Sequence, residues 1–123
     1  MTAIARFALV ALDAKDPATL ARFYAGITGW EVIEPSDEPD WVQLRSPEGS
    51  TSIACQLVRD HVPPVWPGSE HPQQAHIDFD VADLDEGERA VLALGARKAE
   101  FQPGKSFRVY LDPAGHPFCL VLG

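Results

Sequence analysis

The chain has 123 residues, of which 46% are hydrophobic and 23% are charged. This length suits one domain with a real core rather than two independent domains, and the composition is that of a globular protein rather than a disordered one. Lysine and arginine together number 10 against 18 aspartates and glutamates, and the resulting net charge of −8 disfavours binding to nucleic acid or to an anionic membrane surface.

The sequence also indicates a cellular compartment. The N-terminal residues lack the basic run and the long apolar stretch of a signal peptide, and no apolar run approaches the roughly 18 residues that span a bilayer. The two cysteines, Cys55 and Cys119, are weak evidence for a disulfide and fit a reducing environment. We therefore expect a cytoplasmic protein with neither nucleic-acid nor membrane partners.

The first half of the chain predicts one strand, one helix and three further strands. Residues 4–14, IARFALVALDA, are apolar and β-favouring. Asp16 followed by Pro17 predicts a helix start, and Gly29 predicts its end. Between them an apolar stripe at helical spacing consists of Leu20, Phe23, Tyr24 and Ile27. Short strands are then predicted over residues 30–33, 41–45 and 52–58, separated by the turn-rich segments PSDEPD and SPEGS.

The second half repeats this order after a proline-rich linker, residues 59–74 (RDHVPPVWPGSEHPQQ). AHIDFDV, residues 75–81, predicts a strand, and Asp83 with Glu86 three positions later predicts a capping box at the start of a helix. The predicted helical face comprises Leu84, Val91 and Leu94, with Gly95 as the stop. Three more short strands are predicted over residues 99–101, 107–111 and 118–122.

The spacing of these signals indicates an internal duplication. The two helix caps, Asp16 and Asp83, lie 67 residues apart, and the two terminating glycines, Gly29 and Gly95, lie 66 apart. Both halves therefore follow the order β-α-β-β-β. We predict an α+β fold in one domain, residues 1–123, made of module one (1–58), the linker (59–74) and module two (75–123).

The polar positions of AHIDFDV alternate with its apolar ones. His76, Asp78 and Asp80 share one face of the predicted strand, opposite Ile77, Phe79 and Val81. In the matching strand of module one, Leu9, Ala11 and Asp13 lie opposite Val10 and Leu12. These polar faces are either exposed to solvent, as in many antiparallel sheets, or they line a pocket if two curved sheets close around one.

Three motifs carry a resemblance to a known superfamily. DPATLARFYAGITGWEV in the first half, the H-x-x-x-x-V-x-D-L entry at residues 76–84 and YLDPAGHPFCLV at the end resemble the glyoxalase / bleomycin-resistance / extradiol dioxygenase superfamily, also called the vicinal oxygen chelate superfamily. The resemblance covers essentially the whole chain. It implies two paired β-α-β-β-β modules that form a cup-shaped mixed β-sheet cavity, and it implies a homodimer.

The resemblance also implies where a metal would be bound. Metal-using members take ligands from the first and last strands of each half, and the matching positions here are Leu9, Gln56, His76 and Cys119. This set is poor for Mg²⁺, Mn²⁺ or Fe²⁺, which prefer carboxylates. Zn²⁺ accepts histidine and cysteine but needs a third strong ligand, which Asp13 or Asp78 could supply. We predict no tightly bound metal and no other cofactor.

The remaining candidates have two interpretations each. Trp66 lies between Pro64 and Pro67 in the linker. It either closes the cavity as a lid or packs into the local core. Cys119 is a buried inert thiol or, with His76 as its base, a nucleophile. Asp78 and Asp80 are solvated or ion-paired, or one acts as a general base. The histidine of the DPAGHP turn, His116, has a structural role in that turn.

These observations together predict a small-molecule binding protein. The binding wall would comprise His76, Asp78, Gln56, Asp13 and Cys119, closed by Trp66. Its acidic character favours a neutral, hydroxylated or cationic ligand over a polyanion, and sequestration of a toxic or antibiotic compound fits by analogy with the resistance proteins. One alternative is a metal-dependent lyase, isomerase or dioxygenase that uses His76. The other is a dimeric interaction module with a filled core.

Overall fold

The secondary structure follows the predicted order in both halves of the chain. A computed structural model describes residues 3–33, 40–49 and 51–123. The chain divides into two compact units, Met1–His61 and Val62–Gly123, each with one helix and one four-stranded sheet. The predicted α+β class and the duplication of the β-α-β-β-β order are thereby confirmed.

The first unit holds strand β1 (Leu9–Ala14), helix α1 (Pro17–Thr28) and strands β2 (Glu31–Val32), β3 (Trp41–Arg45) and β4 (Ser52–Leu57). Its sheet has the order β1-β4-β3-β2. β1 pairs with β4 in parallel, whereas β3 pairs with both of its neighbours in antiparallel fashion. A parallel pair needs a long crossover connection, and here the helix and the two intervening strands supply it.

Helix α1 begins and ends at the predicted residues. The Asp16 side chain accepts a hydrogen bond from the Thr19 backbone N–H at 3.2 Å. Gly29 adopts the left-handed conformation, with φ of 73°, and its N–H donates to the Ala25 carbonyl at 2.8 Å. The predicted apolar stripe is largely buried, with Leu20, Phe23 and Tyr24 all at 3% exposure or less.

Strand β1 is shorter than predicted. The expected strand spanned residues 4–14, but pairing with β4 starts only at Leu9, opposite Ser52. Residues Ile4 and Phe7 upstream have 104% and 65% of their surface exposed. The apolar composition of this segment therefore predicted too long a strand, because a strand extends only as far as its neighbour supplies hydrogen-bond partners.

The second unit repeats the architecture of the first. It contains β5 (Ile77–Val81), α2 (Leu84–Leu94), β6 (Arg97–Lys98), β7 (Phe107–Leu111) and β8 (Pro117–Leu122). Its sheet order is β5-β8-β7-β6, with β5 parallel to β8 and β7 antiparallel to both neighbours. The linker residues 59–74 contain neither helix nor strand, and residues 62–74 belong to this unit.

Helix α2 is capped as predicted, and its predicted face is buried only in part. Asp83 accepts a hydrogen bond from the Glu86 N–H at 3.0 Å. Val91 is buried at 3% exposure, but Leu94, which was predicted on the same face, is 40% exposed in the last turn of the helix. The helix approaches its sheet at Gly87, where an added Cβ would lie 3.0 Å from Leu120 Cδ1. The close approach at this glycine sets which face is buried.

Strand β6 lies earlier than predicted. The expected strand, 99–101, is replaced by Arg97–Lys98, which pairs with Leu111 and Tyr110. Beyond it the Gln102 side chain takes over the pairing with Val109: its Nε2 donates to the Val109 carbonyl at 2.8 Å, and its Oε1 accepts from the Val109 N–H at 2.9 Å. A side-chain amide thus substitutes for a strand residue, which sequence periodicity does not reveal.

Neither helix in the described ranges 3–33, 40–49 and 51–123 combines the length and the apolar character that a membrane span requires.

Candidate functional site

The alternation predicted for β5 is present in the structure. Ile77 and Phe79 are partly buried, whereas Asp78 and Asp80 are exposed on the opposite face. Because β5 runs parallel to β8, Asp78 lies beside Cys119 in the sheet. His76 immediately precedes the strand, so three residues with ionisable side chains meet at this end of the sheet.

Those three residues form a polar cluster, His76–Asp78–Cys119. The His76 Nε2 lies 3.1 Å from Asp78 Oδ1. One ligand atom from each of the three side chains lies within 4.8 Å of the others. Cys119 is buried at 7% exposure, whereas the side chains of His76 and Asp78 are 41% and 56% exposed. The cluster therefore has a buried side at the thiol and an open side at the carboxylate.

The environment of the cluster keeps Cys119 protonated. Burial, the negative charge of Asp78 and a hydrogen bond to that carboxylate raise the pKa of the Cys119 thiol to about 11. The thiolate, not the thiol, is the nucleophile. The structure thus favours the inert-thiol interpretation over the nucleophile interpretation.

A cavity of about 350 Å³ opens beside the polar cluster. Its apolar wall consists of Trp66, Phe107, Val109, Pro117 and Val121, and its polar part consists of Gln73, His76, Asp78 and Cys119. All of these residues belong to the second unit. A pocket with a mainly apolar wall and a few convergent polar groups is the common form of a small-molecule site.

Trp66 forms part of the cavity wall. It packs against the buried cluster Ala99–Val109–Cys119, and its ring lies 5.9 Å from that of Phe101 at a tilt of 41°. The ring therefore lies against a hydrophobic cluster that contributes two residues, Val109 and Cys119, to the cavity lining. This placement combines both sequence interpretations, because Trp66 lines the cavity and packs on local core.

Gln73 is a cavity residue that the sequence did not reveal. Its Oε1 is buried, and among the described residues it has no hydrogen-bond partner. A buried acceptor without a donor is unusual in a folded protein. In sequence Gln73 lies in the polar tract HPQQ, which resembles any exposed loop, so no local pattern distinguished it.

Two predicted wall residues lie in the first unit. Asp13 on β1 and Gln56 on β4 are neighbours in the parallel ladder, and both are exposed. Trp41 pairs with Gln56 from the other side, and its Nε1 donates to Gln43 Oε1 at 3.1 Å. The first sheet thus has a polar face of its own. That Asp13 and Gln56 share one ligand with the polar cluster of the second unit stays a prediction.

The superfamily's metal positions do not suit a hard cation in this chain. Leu9 offers no donor atom, and Gln56 offers only an amide. The polar cluster His76–Asp78–Cys119 is a different donor set, with imidazole, carboxylate and sulfur, and these are the ligands that Zn²⁺ accepts. Asp78 is therefore the residue that would complete a zinc site, one of the two third ligands considered from the sequence.

The backbone of His116 belongs to a tight turn, as predicted. The buried Asp112 side chain accepts hydrogen bonds from the N–H groups of Ala114 and His116, each at 2.9 Å. The His116 carbonyl in turn accepts from the Asp112 N–H at 2.9 Å. The DPAGHP motif thereby joins β7 to β8 and brings Pro117 and Cys119 to the cavity.

Comparison with solved structures identifies the same fold in several proteins. A glyoxalase/bleomycin resistance protein/dioxygenase family enzyme from Burkholderia phytofirmans PsJN is 18% identical, with a TM-score of 0.72 over 94% of this chain and 97% of that chain. A glyoxalase-related enzyme from Fulvimarina pelagi is 18% identical, with a TM-score of 0.68 over 98% and 89%. The fosfomycin resistance protein FosX from Mesorhizobium loti is 16% identical, with a TM-score of 0.63 over 100% and 93%. At these identities the likeness establishes the fold.

Comparison with sequence families gives a match over nearly the whole chain. No curated protein matches. The family model described as "Glyoxalase-like domain" matches residues 9–121, from the first residue of β1 to the penultimate residue of β8. The chain therefore belongs to the glyoxalase-like domain family.

Proposed function

We propose that this protein binds a small organic molecule in the cavity of its second unit. The observation that carries the proposal is the cavity itself, about 350 Å³ of open space beside the polar cluster His76–Asp78–Cys119. Ligand pockets commonly measure roughly 300–1,000 Å³. A volume at the lower end of that range suits a compact molecule, such as a substituted aromatic ring.

The lining suggests how such a molecule would be held. Trp66 and Phe107 offer aromatic surface at low conformational cost, and Val109 and Val121 extend the apolar wall. The polar cluster would fix the orientation of the ligand by hydrogen bonds. Asp13 and Gln56 of the first unit are proposed to take part in the same binding wall.

The biological role that fits this proposal is sequestration of a toxic or antibiotic compound in the cytoplasm. One structural relative carries the name of a fosfomycin resistance protein, which gives the role a precedent within the fold. This precedent is an analogy between proteins of the same fold, and one fold can serve many functions. The protonated Cys119 adds no nucleophile to the cavity, so binding is proposed in preference to covalent catalysis.

A cavity-filling substitution tests the proposal. A library of small aromatic and aliphatic compounds is screened by ligand-observed NMR against the unmodified chain, Val121→Trp and Val62→Trp. Val121 lines the cavity, whereas Val62 is 65% exposed outside it, so the two variants add the same indole in different places. We expect hits that bind the unmodified chain and Val62→Trp but not Val121→Trp. Hits that bind all three proteins equally would overturn the assignment to the cavity.

A metal-dependent lyase, isomerase or dioxygenase is the second candidate function. The observation that favours it is the set of three ligand atoms in the polar cluster, all within 4.8 Å of one another. When bound there, Zn²⁺ would supply a Lewis acid for a substrate oxygen. His76 and Asp78 would then serve as ligands instead of hydrogen-bonding the organic molecule directly.

Elemental analysis separates the two candidates. Under the binding proposal, protein purified without chelator contains no stoichiometric metal, and added Zn²⁺, Mn²⁺, Fe²⁺ or Ni²⁺ is removed by gel filtration. One ion per chain that is retained by the unmodified protein and by Asp80→Asn, but lost in His76→Ala, would favour the metal-dependent enzyme. Asp80 is a suitable control because it lies on the same face of β5 but does not line the cavity.

The third possibility, an interaction module with a filled core, has less support. It requires side chains to occupy the space beside His76, whereas the second unit keeps that space open. A homodimer remains compatible with the binding proposal, and we propose one on the strength of the superfamily resemblance.

A further inference from the structure

We propose that the cavity of the second unit selects compounds with a protonated amine attached to an aromatic or aliphatic body. The inference rests on the proposed binding function and adds the chemical class of the ligand. It follows from three features of the cavity: a buried acceptor without a donor, a carboxylate with no lysine or arginine among the described lining residues, and an apolar wall for the remainder of the molecule.

The first feature is an excess of hydrogen-bond acceptors. Gln73 lines the cavity, and its Oε1 is a buried acceptor that has no partner among the described residues. Asp78 adds a carboxylate with two oxygens, which accepts from the Cys119 thiol and can accept further hydrogen bonds. A ligand must therefore bring a donor if it is to satisfy Gln73 Oε1, and an ammonium group brings three.

The second feature is the negative charge of Asp78. Its described neighbours in the polar cluster are the His76 imidazole at 3.1 Å and the Cys119 thiol. A thiol carries no positive charge, and an imidazole carries one only when it is protonated. No lysine or arginine is among the described residues that line the cavity. A cationic ligand would therefore meet a carboxylate that has no permanently charged partner among those residues.

Two cations of this sheet, Arg108 and Lys98, form ion pairs on its other face. Arg108 lies between Phe107 and Val109, which line the cavity, so strand alternation directs its side chain to the helix side. There it contacts Asp85 at 2.9 Å and Glu88 at 3.3 Å. Lys98 contacts the same Glu88 at 2.9 Å. The second unit thus keeps these two positive charges away from the cavity.

The third feature is the apolar part of the cavity wall. Trp66, Phe107, Val109 and Val121 offer surface that a hydrocarbon body can cover. The indole face of Trp66 is also a favourable neighbour for a cation that lies over it. An anionic ligand would gain the same apolar contacts but would face the Asp78 carboxylate, and its head group would leave Gln73 Oε1 without a donor.

Three probes of similar shape and different charge test the inference. 2-Phenylethylamine, 2-phenylethanol and phenylacetate share a phenyl ring and a two-carbon side chain but carry charges of plus one, zero and minus one. Each is titrated by NMR at constant ionic strength, with EDTA present so that no metal contributes. We expect the amine to bind at least about tenfold more tightly than the acid, with the alcohol between them.

Two substitutions with matched controls locate the effect. Asp78→Asn should bring the affinity for the amine to within about twofold of that for the alcohol, and Asp80→Asn should leave the preference unchanged. Gln73→Leu should weaken binding of the amine by about tenfold, because it removes the buried acceptor. Gln74→Leu changes the adjacent, exposed glutamine and should have no effect. Circular dichroism and thermal melting verify that each variant is folded.

The outcomes distinguish this inference from the proposed function. Binding of the probes to the unmodified chain but not to Val121→Trp would support binding in the cavity. If the amine then binds no more tightly than the alcohol, or if the acid binds most tightly, the charge selectivity is overturned and cavity binding remains. Failure of all three probes to bind below about 10 mM would count against both proposals. A preference for the amine that survives Asp78→Asn would overturn the role of that carboxylate.

Discussion

Cys119 shows how strongly the surroundings of one residue decide its chemistry. In sequence it is a cysteine in the last strand, for which a buried inert thiol is the default interpretation and a nucleophile the alternative. In the structure, burial and the adjacent Asp78 carboxylate keep its thiol protonated. Only about one thousandth of a thiol with a pKa near 11 is ionised at pH 8.

We expect alkylation of Cys119 by iodoacetamide to be slow at pH 8 and to accelerate as the pH approaches 11. Asp78→Asn removes the negative charge and the acceptor, so it should lower the pKa and speed alkylation at pH 8. Peptide mass spectrometry resolves Cys119 from Cys55, which is also buried. Rapid alkylation of Cys119 at pH 8 in the folded, unmodified chain would contradict the assignment.

At the scale of elements, helix α2 is joined to its sheet by a polar network centred on Glu88. This carboxylate accepts a hydrogen bond from the Tyr110 hydroxyl at 2.9 Å and contacts Lys98 and Arg108 at 2.9 and 3.3 Å. The hydrogen bond from Lys98 is the largest cause that lowers the pKa of Glu88. Burial, reinforced by the neighbouring Glu88, raises the pKa of Tyr110, which is fully buried.

Glu88→Ala should destabilise the protein by about 1–3 kcal/mol, because it leaves the buried Tyr110 hydroxyl without its acceptor. Glu88→Gln should cost less, since the amide oxygen still accepts that hydrogen bond. Because the folded-state pKa of Glu88 is lowered, its stabilisation is present above the ordinary value of 4.5 and is lost as the pH falls below it. Urea unfolding at pH 7 and pH 3.5 measures both effects. An equal loss for Glu88→Ala at the two pH values would contradict this account.

The DPAGHP turn makes a second prediction at this scale. Gly115 has φ of 91°, and a Cβ there would lie 2.5 Å from Pro63 Cβ. Gly115→Ala should therefore destabilise the chain by about 2–4 kcal/mol, through backbone strain and a steric clash together. Gly49→Ala is the matched control: φ is 70°, and apart from its chain neighbours no described residue lies within 4 Å of the added Cβ, so only the strain remains. Thermal unfolding compares the two variants, and an equal loss in both would rule out the contact with Pro63.

At the scale of the whole molecule, the notable feature is a set of exposed apolar side chains. Several large hydrophobic residues are exposed in the isolated chain, among them Ile4, Phe7, Val62, Phe101 and Leu122. Scattered single residues of this kind are normal, but association often covers them. Together with the superfamily resemblance, they lead us to expect a homodimer.

Size-exclusion chromatography with light scattering measures the assembly directly. We expect twice the mass of one chain at micromolar concentration, and the acidic net charge of −8 should keep the dimers from associating further. A mass that equals one chain across the whole concentration range would contradict the dimer. The cavity proposal would survive that result, because every lining residue belongs to one unit of one chain.

The sequence by itself determined the elements and their repetition. The caps at Asp16 and Asp83, the stops at Gly29 and Gly95 and the alternation of AHIDFDV depend on local rules of capping, backbone conformation and strand geometry. For this reason helix α1, the start of α2 and the polar face of β5 were predicted correctly. Motif resemblance also predicted a glyoxalase-like protein, and the family match over residues 9–121 confirms it.

Only the tertiary structure decided the composition of the site. The pairing of β5 with β8 places Asp78 beside Cys119, residues that are 41 positions apart in sequence, and no local pattern records that neighbour. Gln73 reaches the cavity from an irregular linker, and Gln102 completes a strand with its side chain. Contacts between distant segments depend on how the chain packs, whereas capping and alternation depend on adjacent residues. The polar cluster and its acceptor-rich cavity are therefore properties of the fold.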